Sequence, residues 1–264
     1  MTKLIISLAQ INIALGDTRK NIKQAEEAIE EAARRGSHLI VLPELWSTGY
    51  ALEQGKDLAS PLNVGVFAQL ATLATQNKIS IVGSLLEKRG LEVANSATFF
   101  APNGRLMGVY RKIHLFRLME EDRYLQPGSA PLIMDLPWGR TGLAICYDLR
   151  FPELFRRMHE LGADYFVLSA AFTVPTGKAH WDVLVRARAI ENLSHLVISA
   201  QAGRHPNGRQ TYGHSMVVDC WGTVLDELAD GEGAAIAAID LMHQARVRRE
   251  FPALEHRVLG RTIS

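Results

Sequence analysis

Cys146 is the first residue whose type and position could support catalysis. It follows an apolar run at 141–145 that is typical of a β-strand, and Pro152 and Glu153 then suit the first turn of a helix. A cysteine on a sharp turn between strand and helix would project its sulfur at the sheet edge, where backbone N–H groups could stabilise an oxyanion. The alternative is a buried core thiol. Cys220, between a strand and a Trp-Gly turn, is predicted to be structural.

Glu44 and Lys112 are two further residues at strand ends whose types could assist a thiol. A thiol is a weak nucleophile until a base removes its proton. Glu44 follows the apolar run 41–43, and Lys112 ends a predicted strand at 108–111. Because ligands of α/β sheets bind where the strands end, these three residues indicate one shared site. The alternatives are a solvated loop acid for Glu44 and a surface lysine for Lys112.

Signals for other chemistries are weak. The chain has no glycine-rich phosphate loop, no Cys/His cluster with structural-zinc spacing, and no Gly-x-Ser-x-Gly of serine hydrolases. We therefore predict no metal and no organic cofactor. The net charge of +1 gives no electrostatic reason to expect a nucleic-acid partner.

The length and composition predict one soluble domain that spans residues 1–264. Of the 264 residues, 47% are hydrophobic, which is enough for one large core. No apolar run is long enough to cross a bilayer, so no membrane association is expected. The start of the chain reads as a strand and not as a cleaved leader. With only 2 cysteines, we predict a cytoplasmic protein whose thiols are reduced.

The elements that would position these residues alternate strand-like runs with amphipathic helices. One helix is predicted to follow Asp17 as its cap and to end at Gly36, with apolar residues at helical spacing between them. Further helices are predicted at 64–77, 152–161 and 179–193. Strands are predicted at 3–10, 38–42, 79–86, 95–101, 105–110, 131–136, 141–146, 164–169, 195–201, 214–219, 223–227 and 234–240. Together with the turn signals at 102–104 and 137–140, this pattern favours an α/β fold with mixed sheets and outer helices.

Six segments of the chain together resemble the nitrilase superfamily of carbon–nitrogen hydrolases. The first three contain Glu, Lys and Cys in the order of the family, and the resemblance runs through nearly the whole chain. The segments are 42–44, 110–115, 145–153, 177–181, 186–192 and 213–216. The resemblance implies a four-layer α-β-β-α sandwich that dimerises to an α-β-β-α–α-β-β-α assembly.

The resemblance also implies a role for each residue at the strand ends. Glu44 would be the general base, Cys146 the nucleophile and Lys112 the oxyanion stabiliser. In the mechanism that this suggests, the backbone N–H of Tyr147 is a second oxyanion donor. The reaction would pass through a thioester on the cysteine.

Five more residues are candidates for the site. The family has a second active-site glutamate shortly before a Pro-Gly, and Glu121 fits best, with the adjacent Glu120 as the alternative. Tyr50, Phe172 and Thr173 flank the catalytic segments and are predicted to bind substrate. Ordinary packing is the alternative for these three.

Two helices are candidates for the dimer interface that the resemblance implies. They are the helices predicted at 152–161 and 179–193, with Phe155, Leu184 and Val185 as the buried contacts. The alternative is that these residues cover the sheet of their own protomer.

The details of the motifs favour the amidase branches of the superfamily. Residues 147–148 are Tyr-Asp, where nitrile-cleaving members usually have Trp-Glu. Segments 200–205 and 212–219 are similar to amidases that act on deaminated glutathione, and segments 43–50 and 114–119 are similar to omega-amidases. The predicted function is hydrolysis of a small carboxamide to acid plus ammonia, on a 2-oxo-acid amide such as deaminated glutathione or 2-oxoglutaramate. A nitrile or N-carbamoyl amide hydrolase, or a non-catalytic binding or scaffold protein, remains an alternative.

Overall fold

Two six-stranded β-sheets stack against each other, and helices cover the outer face of each sheet. The structure is a computed structural model that describes residues 3–206 and 208–259. The strands are β1 (Leu4–Gln10), β2 (Leu39–Val41), β3 (Ser80–Arg89), β4 (Glu92–Phe100), β5 (Leu106–Arg111), β6 (Leu132–Leu136), β7 (Gly139–Ile145), β8 (Tyr165–Ala170), β9 (His195–Ala200), β10 (Ala202–Arg204), β11 (Gln210–Tyr212), β12 (Met216–Val218), β13 (Val224–Glu227) and β14 (Gly233–Ile239). The helices are α1 (Thr18–Arg34), α2 (Gly55–Leu58), α3 (Val66–Asn77), α4 (Glu121–Tyr124), α5 (Pro152–Glu160), α6 (Val174–Asn192) and α7 (Leu241–Glu250). The predicted α-β-β-α sandwich is confirmed.

The two sheets share one arrangement of parallel and antiparallel neighbours. Their strand orders are β14-β1-β2-β3-β4-β5 and β13-β12-β9-β8-β7-β6. In each sheet three parallel strands form the centre, and antiparallel strands flank them. The backbone N–H of Glu44, just after β2, donates to the carbonyl of Ala170 at the end of β8 (3.3 Å). The carboxyl ends of the two parallel sets therefore lie together.

Apolar residues form one core layer between the sheets and a second between the first sheet and its helices. The inner layer includes Leu8, Val41 and Val167 and continues to α5 and α6. The outer layer packs Ile29 of α1 and Phe67 of α3 against the first sheet. Every residue of β2 and β8 is buried, as expected for strands that are covered on both faces.

The predicted start of α1 is confirmed, whereas α6 begins five residues earlier than predicted. Asp17 caps α1 by accepting a hydrogen bond from the backbone of Lys20 (3.0 Å). Helix α6 begins at Val174 because Thr173 is extended and Pro175 occupies the first turn, where its fixed φ suits a helix. The turns predicted at 102–104 and 137–140 each join two antiparallel strands, since β4 pairs with β5 and β6 with β7.

The prediction that Phe155 and Val185 are dimer contacts is wrong. Both side chains have 0% exposure within the single chain, because they lie on the faces of α5 and α6 that pack against the second sheet. Leu184 is half-buried against the same core. These residues therefore cover the sheet of their own protomer, which was the alternative interpretation.

The sequence did not predict the β10–β11 hairpin or α7. Each strand of the hairpin has only three residues, too few for an alternating pattern. Helix α7 buries Gln244 and lacks the apolar stripe that marks an amphipathic helix. Within the residues that the structure describes, no helix combines the length and the apolar character that crossing a membrane requires.

Candidate active site

Four of the predicted site residues come from separate parts of the chain and meet in one buried cluster. Glu44 follows β2, Lys112 follows β5, Glu121 begins α4, and Cys146 follows β7. Nζ of Lys112 lies 2.8 Å from Oε1 of Glu44 and 2.6 Å from Oε1 of Glu121. The Cys146 thiol is close enough for Glu44 and Lys112 to shift its pKa. An acid, an ammonium and a sulfur thus share one site.

The Lys112 side chain is charged although it is fully buried. Burial works against the ammonium, but the carboxylates of Glu121 and Glu44 outweigh burial and raise the pKa of Lys112 above the ordinary lysine value. An ammonium has three donor hydrogens, and the two carboxylates accept two of them. One N–H therefore remains to stabilise negative charge on a reacting oxygen.

The backbone of Lys112 is fixed from two sides. Its N–H donates to the carbonyl of Asn95 (2.9 Å), and its carbonyl accepts from the N–H of Gly128 (2.8 Å). A side chain at position 128 would place its Cβ 2.2 Å from the carbonyl oxygen of Arg111, so only glycine allows this close approach. The Pro-Gly that follows the second glutamate thus holds the strand end that carries the lysine.

The two carboxylate oxygens of Glu44 differ in their surroundings. Oε1 accepts hydrogen bonds from Lys112 Nζ and from Nδ2 of Asn95, each at 2.8 Å. Oε2 has no hydrogen-bond partner in the part of the chain that the structure describes. Burial raises the pKa of Glu44, Lys112 opposes the rise and Glu121 adds to it. A raised pKa suits a general base at neutral pH, and Oε2 is the oxygen free to accept a proton.

Cys146 lies on a strained turn where β7 ends. Its φ of +44° falls in the left-handed region, which residues other than glycine rarely adopt. The N–H of Ala171 points at Sγ from 3.5 Å. Burial and the Glu44 carboxylate raise the thiol pKa well above its ordinary value, and Lys112 and the Ala171 N–H offset this only in part. The sulfur of the resting site is therefore a protonated thiol.

Buried Asp148 connects the cysteine turn to the segment that carries the lysine. Its Oδ2 accepts from the N–H of Ile145 (2.9 Å) and the hydroxyl of Tyr110 (2.7 Å). Its Oδ1 accepts from the N–H (3.2 Å) and Nδ1 (2.7 Å) of His114. These four hydrogen bonds fix the turn relative to the strand that precedes Lys112.

Glu121, and not Glu120, is the second glutamate of the cluster. Besides Lys112 Nζ, its Oε1 accepts from the hydroxyl of Tyr50 (2.9 Å), and its Oε2 accepts from the N–H of Phe116 (2.8 Å). Glu120 is exposed and pairs with Arg123 on the surface. Geometry therefore separates two adjacent acids that the sequence pattern could not.

The cluster is not arranged as a metal site. The Lys112 ammonium occupies the position between two carboxylates where a metal cation would otherwise bind. Over the described ranges 3–206 and 208–259, no three His, Cys, Asp or Glu side chains are grouped so that they could hold a metal ion.

Comparison with known proteins places the chain in a family. The sequence pattern of the carbon-nitrogen hydrolase family matches residues 5–249. The chain belongs to this family. A deaminated glutathione amidase from Synechocystis sp. is 37% identical to this hydrolase over 257 residues, which cover 90% of this chain and 93% of that protein. A 2-oxoglutaramate amidase from Bacillus subtilis is 36% identical over 254 residues, which cover 96% and 97%.

A solved structure supports the same assignment. The NitFhit protein of C. elegans superposes on this hydrolase with a TM-score of 0.91 at 34% identity. The superposition covers 97% of this chain and 65% of the NitFhit chain. The hydrolase thus spans less than two thirds of the length of NitFhit.

The remaining predicted residues of the hydrolase have different surroundings. Tyr147 lies in the first turn after the cysteine, where no carbonyl within that turn can accept its N–H, and its ring stacks on Phe116 (4.6 Å). Tyr50 and Thr173 line a cavity of about 20 Å³. Phe172 is buried against Trp181 (4.9 Å) and does not line that cavity, so its contact with substrate stays a prediction.

Sequence reasoning missed three buried polar residues that support the cluster. Asn95 holds Glu44 Oε1, Asp148 fixes the cysteine turn, and Nε2 of Gln201 donates to the backbone carbonyl of Glu44 (2.6 Å). An asparagine inside a predicted strand was a usable signal, since a buried amide requires partners. Asp148 carried a similar signal directly after the predicted nucleophile.

Proposed function

We propose that this hydrolase cleaves amides of 2-oxo acids through a thioester on Cys146. The observation that carries the proposal is the Lys112 ammonium held between Glu44 and Glu121 beside a thiol. A base, a cationic oxyanion donor and a nucleophile are the groups that amide hydrolysis needs. The amidases from Synechocystis and B. subtilis are named for two such amides.

The first half of the reaction forms the thioester. Glu44 takes the thiol proton through Oε2 while Sγ of Cys146 bonds to the amide carbon and the C=O electron pair moves to oxygen. The remaining N–H of Lys112 and the N–H of Tyr147 stabilise that oxyanion, and each such donor lowers the barrier by about 3 kcal/mol. Protonated Glu44 then gives its proton to the nitrogen as the C–N bond breaks.

The second half releases the acid. Glu44, again a carboxylate, removes a proton from water as the water oxygen attacks the thioester carbon. The C–S bond then breaks, the carboxylic acid leaves, and the sulfur recovers its proton. Glu121 keeps Lys112 charged and in place in both halves, with Tyr50 and Phe116 fixing its carboxylate.

The two named amides share an acyl half and differ in the group that leaves. Both contain the 2-oxoglutaryl group, so both give 2-oxoglutarate. 2-Oxoglutaramate releases ammonia, whereas deaminated glutathione releases an amine that carries the rest of the peptide. The product pair predicted from the sequence, acid plus ammonia, therefore applies only to the first substrate, and an ammonia assay would not detect the second.

The test is a panel of substrates in which 2-oxoglutarate and ammonia are measured in parallel. It contains both 2-oxo-acid amides, a simple aliphatic amide, a nitrile and an N-carbamoyl compound. We expect 2-oxoglutarate from at least one of the first two at a kcat/KM at least about tenfold above the others. Preferred turnover of the nitrile, or carbon dioxide released from the carbamoyl compound, would contradict the proposal.

We further propose that residues 1–264 form one domain and that the enzyme acts in the cytoplasm. We also propose that two chains associate through α6. Val183 and Ile190 are exposed on α6, and Trp221 packs against Phe251 on the surface. Exposed apolar side chains of this kind often mark an interface. Both thiols are free, as expected in a reducing compartment. Light scattering of the wild-type protein and of Ile190→Glu tests the association of two chains, and a monomeric wild type would contradict it. Cell fractionation tests the cytoplasmic location.

A further inference from the structure

Two adjoining cavities lie beside the contact between Tyr50 and Glu121. They measure about 20 and 300 Å³ and share Leu15, Tyr50, Met119 and Arg209 as lining residues. The hydroxyl of Tyr50 donates to Glu121 Oε1 (2.9 Å), so these cavities adjoin the catalytic cluster.

The smaller cavity has a positive charge in its wall and no acid. Its remaining lining residues are Thr173, Gln201, His205 and Thr211. Burial lowers the pKa of His205, and Arg209 lowers it further against the effect of a backbone hydrogen bond, so the imidazole is neutral at pH 7. Arg209 is thus the charged group among the described residues that line this cavity. The larger cavity also contains acids, Glu53 and Glu120.

Hydrogen bonds hold the turn that contains Arg209 against the wall of the smaller cavity. The N–H of His205 donates to the carbonyl of Arg209 (2.8 Å), which closes the turn. Nδ1 of His205 faces the carbonyl of Ile13 (3.2 Å) and must donate, so Nε2 accepts from the hydroxyl of Thr211 (3.1 Å). Thr211 pairs with Thr173 in an antiparallel bridge at the start of α6.

Because the catalytic cluster has a net negative charge, an acidic substrate needs a second cation, besides Lys112, to bind its carboxylate. Glu44 and Glu121 outnumber Lys112, which leaves one net negative charge beside the thiol. A substrate carboxylate at that point would be repelled. In a 2-oxoglutaryl amide four C–C bonds separate the amide carbon from the carboxylate carbon, about 5 Å when extended. The carboxylate can therefore bind away from the cluster.

We propose that Arg209 binds the carboxylate of a 2-oxo-acid substrate in the smaller cavity. The hydroxyl of Thr173 lies in the same wall and can donate to the same anion. This inference rests on the proposed function and adds to it the residue that selects acidic amides.

The experiment compares two substrates that differ only in the carboxylate: 2-oxoglutaramate and 4-oxopentanamide. Both release ammonia, so one assay measures both. The variants are Arg209→Gln, Arg209→Lys and, as a control, Arg204→Gln, which removes the same charge from an exposed position on the same hairpin. Loss of a charge-assisted hydrogen bond predicts a fall of about 10- to 100-fold in kcat/KM for the acid with Arg209→Gln, chiefly through KM.

The neutral amide should change less than about twofold in every variant, and Arg209→Lys should recover part of the activity on the acid. Equal loss for both amides with Arg209→Gln, or no loss for either, overturns the role of Arg209. A wild-type enzyme without preference for the acid overturns the carboxylate site. A wild-type enzyme that cleaves neither 2-oxo-acid amide overturns the proposed function instead.

Discussion

The side-chain amide of Asn95 donates to Oε1 of Glu44 at 2.8 Å, and Glu44 is thereby held so that its other oxygen carries no hydrogen bond from the described residues. Asn95→Leu removes this donor while keeping a side chain of similar size. We expect kcat/KM to fall about tenfold, because a hydrogen bond to a charged group is lost. The acid limb of the pH profile should also move to higher pH, since the carboxylate loses a stabilising donor.

Asn192→Leu is the matched control for this substitution. Asn192 is equally buried, and its Nδ2 donates to a helix carbonyl instead of the site. Its replacement should lower stability without moving the pH profile. If both variants move the profile alike, Asn95 acts through general stability and not through Glu44.

The pH dependence of kcat/KM should show a base that titrates above the ordinary carboxyl range. Burial raises the pKa of Glu44 above its usual value of 4.5, and the group accepts a proton only in its charged form. Activity should therefore be lost as pH falls through that raised pKa, and the midpoint should lie above 4.5. A profile that stays flat down to pH values near 4.5 would argue against Glu44 as the base.

Cys146→Ala should abolish turnover and leave the fold intact. Removing the nucleophile is expected to lower kcat by roughly 10⁴-fold or more. Cys220→Ala, at a buried thiol outside the cluster, is the control and should retain activity. Circular dichroism and thermal unfolding check that both variants are folded, and near-normal turnover by Cys146→Ala would rule out the mechanism.

Lys112→Met should destabilise the protein as well as inactivate it. The substitution leaves two buried carboxylates without their cation, which typically costs about 3–5 kcal/mol. The double variant Lys112→Met/Glu121→Gln should recover part of this loss, because one uncompensated charge is gone. Denaturant unfolding measures both.

Lys23→Met gives the comparison on the surface. Lys23 forms an exposed pair with Glu27, so its loss should change stability little. An equal effect of the two lysine substitutions would mean that the buried charges of the cluster do not govern stability.

The sequence predicted the reactive side chains better than the groups around them. Glu44, Lys112 and Cys146 each follow an apolar strand, and this local feature is visible without a structure. Asn95 gains its significance from Glu44, 51 residues away, and Arg209 shares its cavity with residues as distant in the chain as Tyr50; no local pattern encodes either relationship. The wrong prediction of dimer contacts on α5 and α6 has a similar cause.

An apolar stripe shows which face of a helix is buried but not which partner buries it. Phe155 and Val185 lie on such stripes, and the second sheet of the same chain covers them, which is why the prediction of dimer contacts is wrong. The predicted start of α6 is five residues late, because the extended Thr173 before Pro175 gives little periodic signal.

The protonated state of Cys146 affects how the enzyme tolerates oxidative stress. Hydrogen peroxide oxidises thiolates far faster than thiols, and here burial and a neighbouring carboxylate keep the sulfur from ionising. We therefore expect the nucleophile to react slowly with peroxide between turnovers.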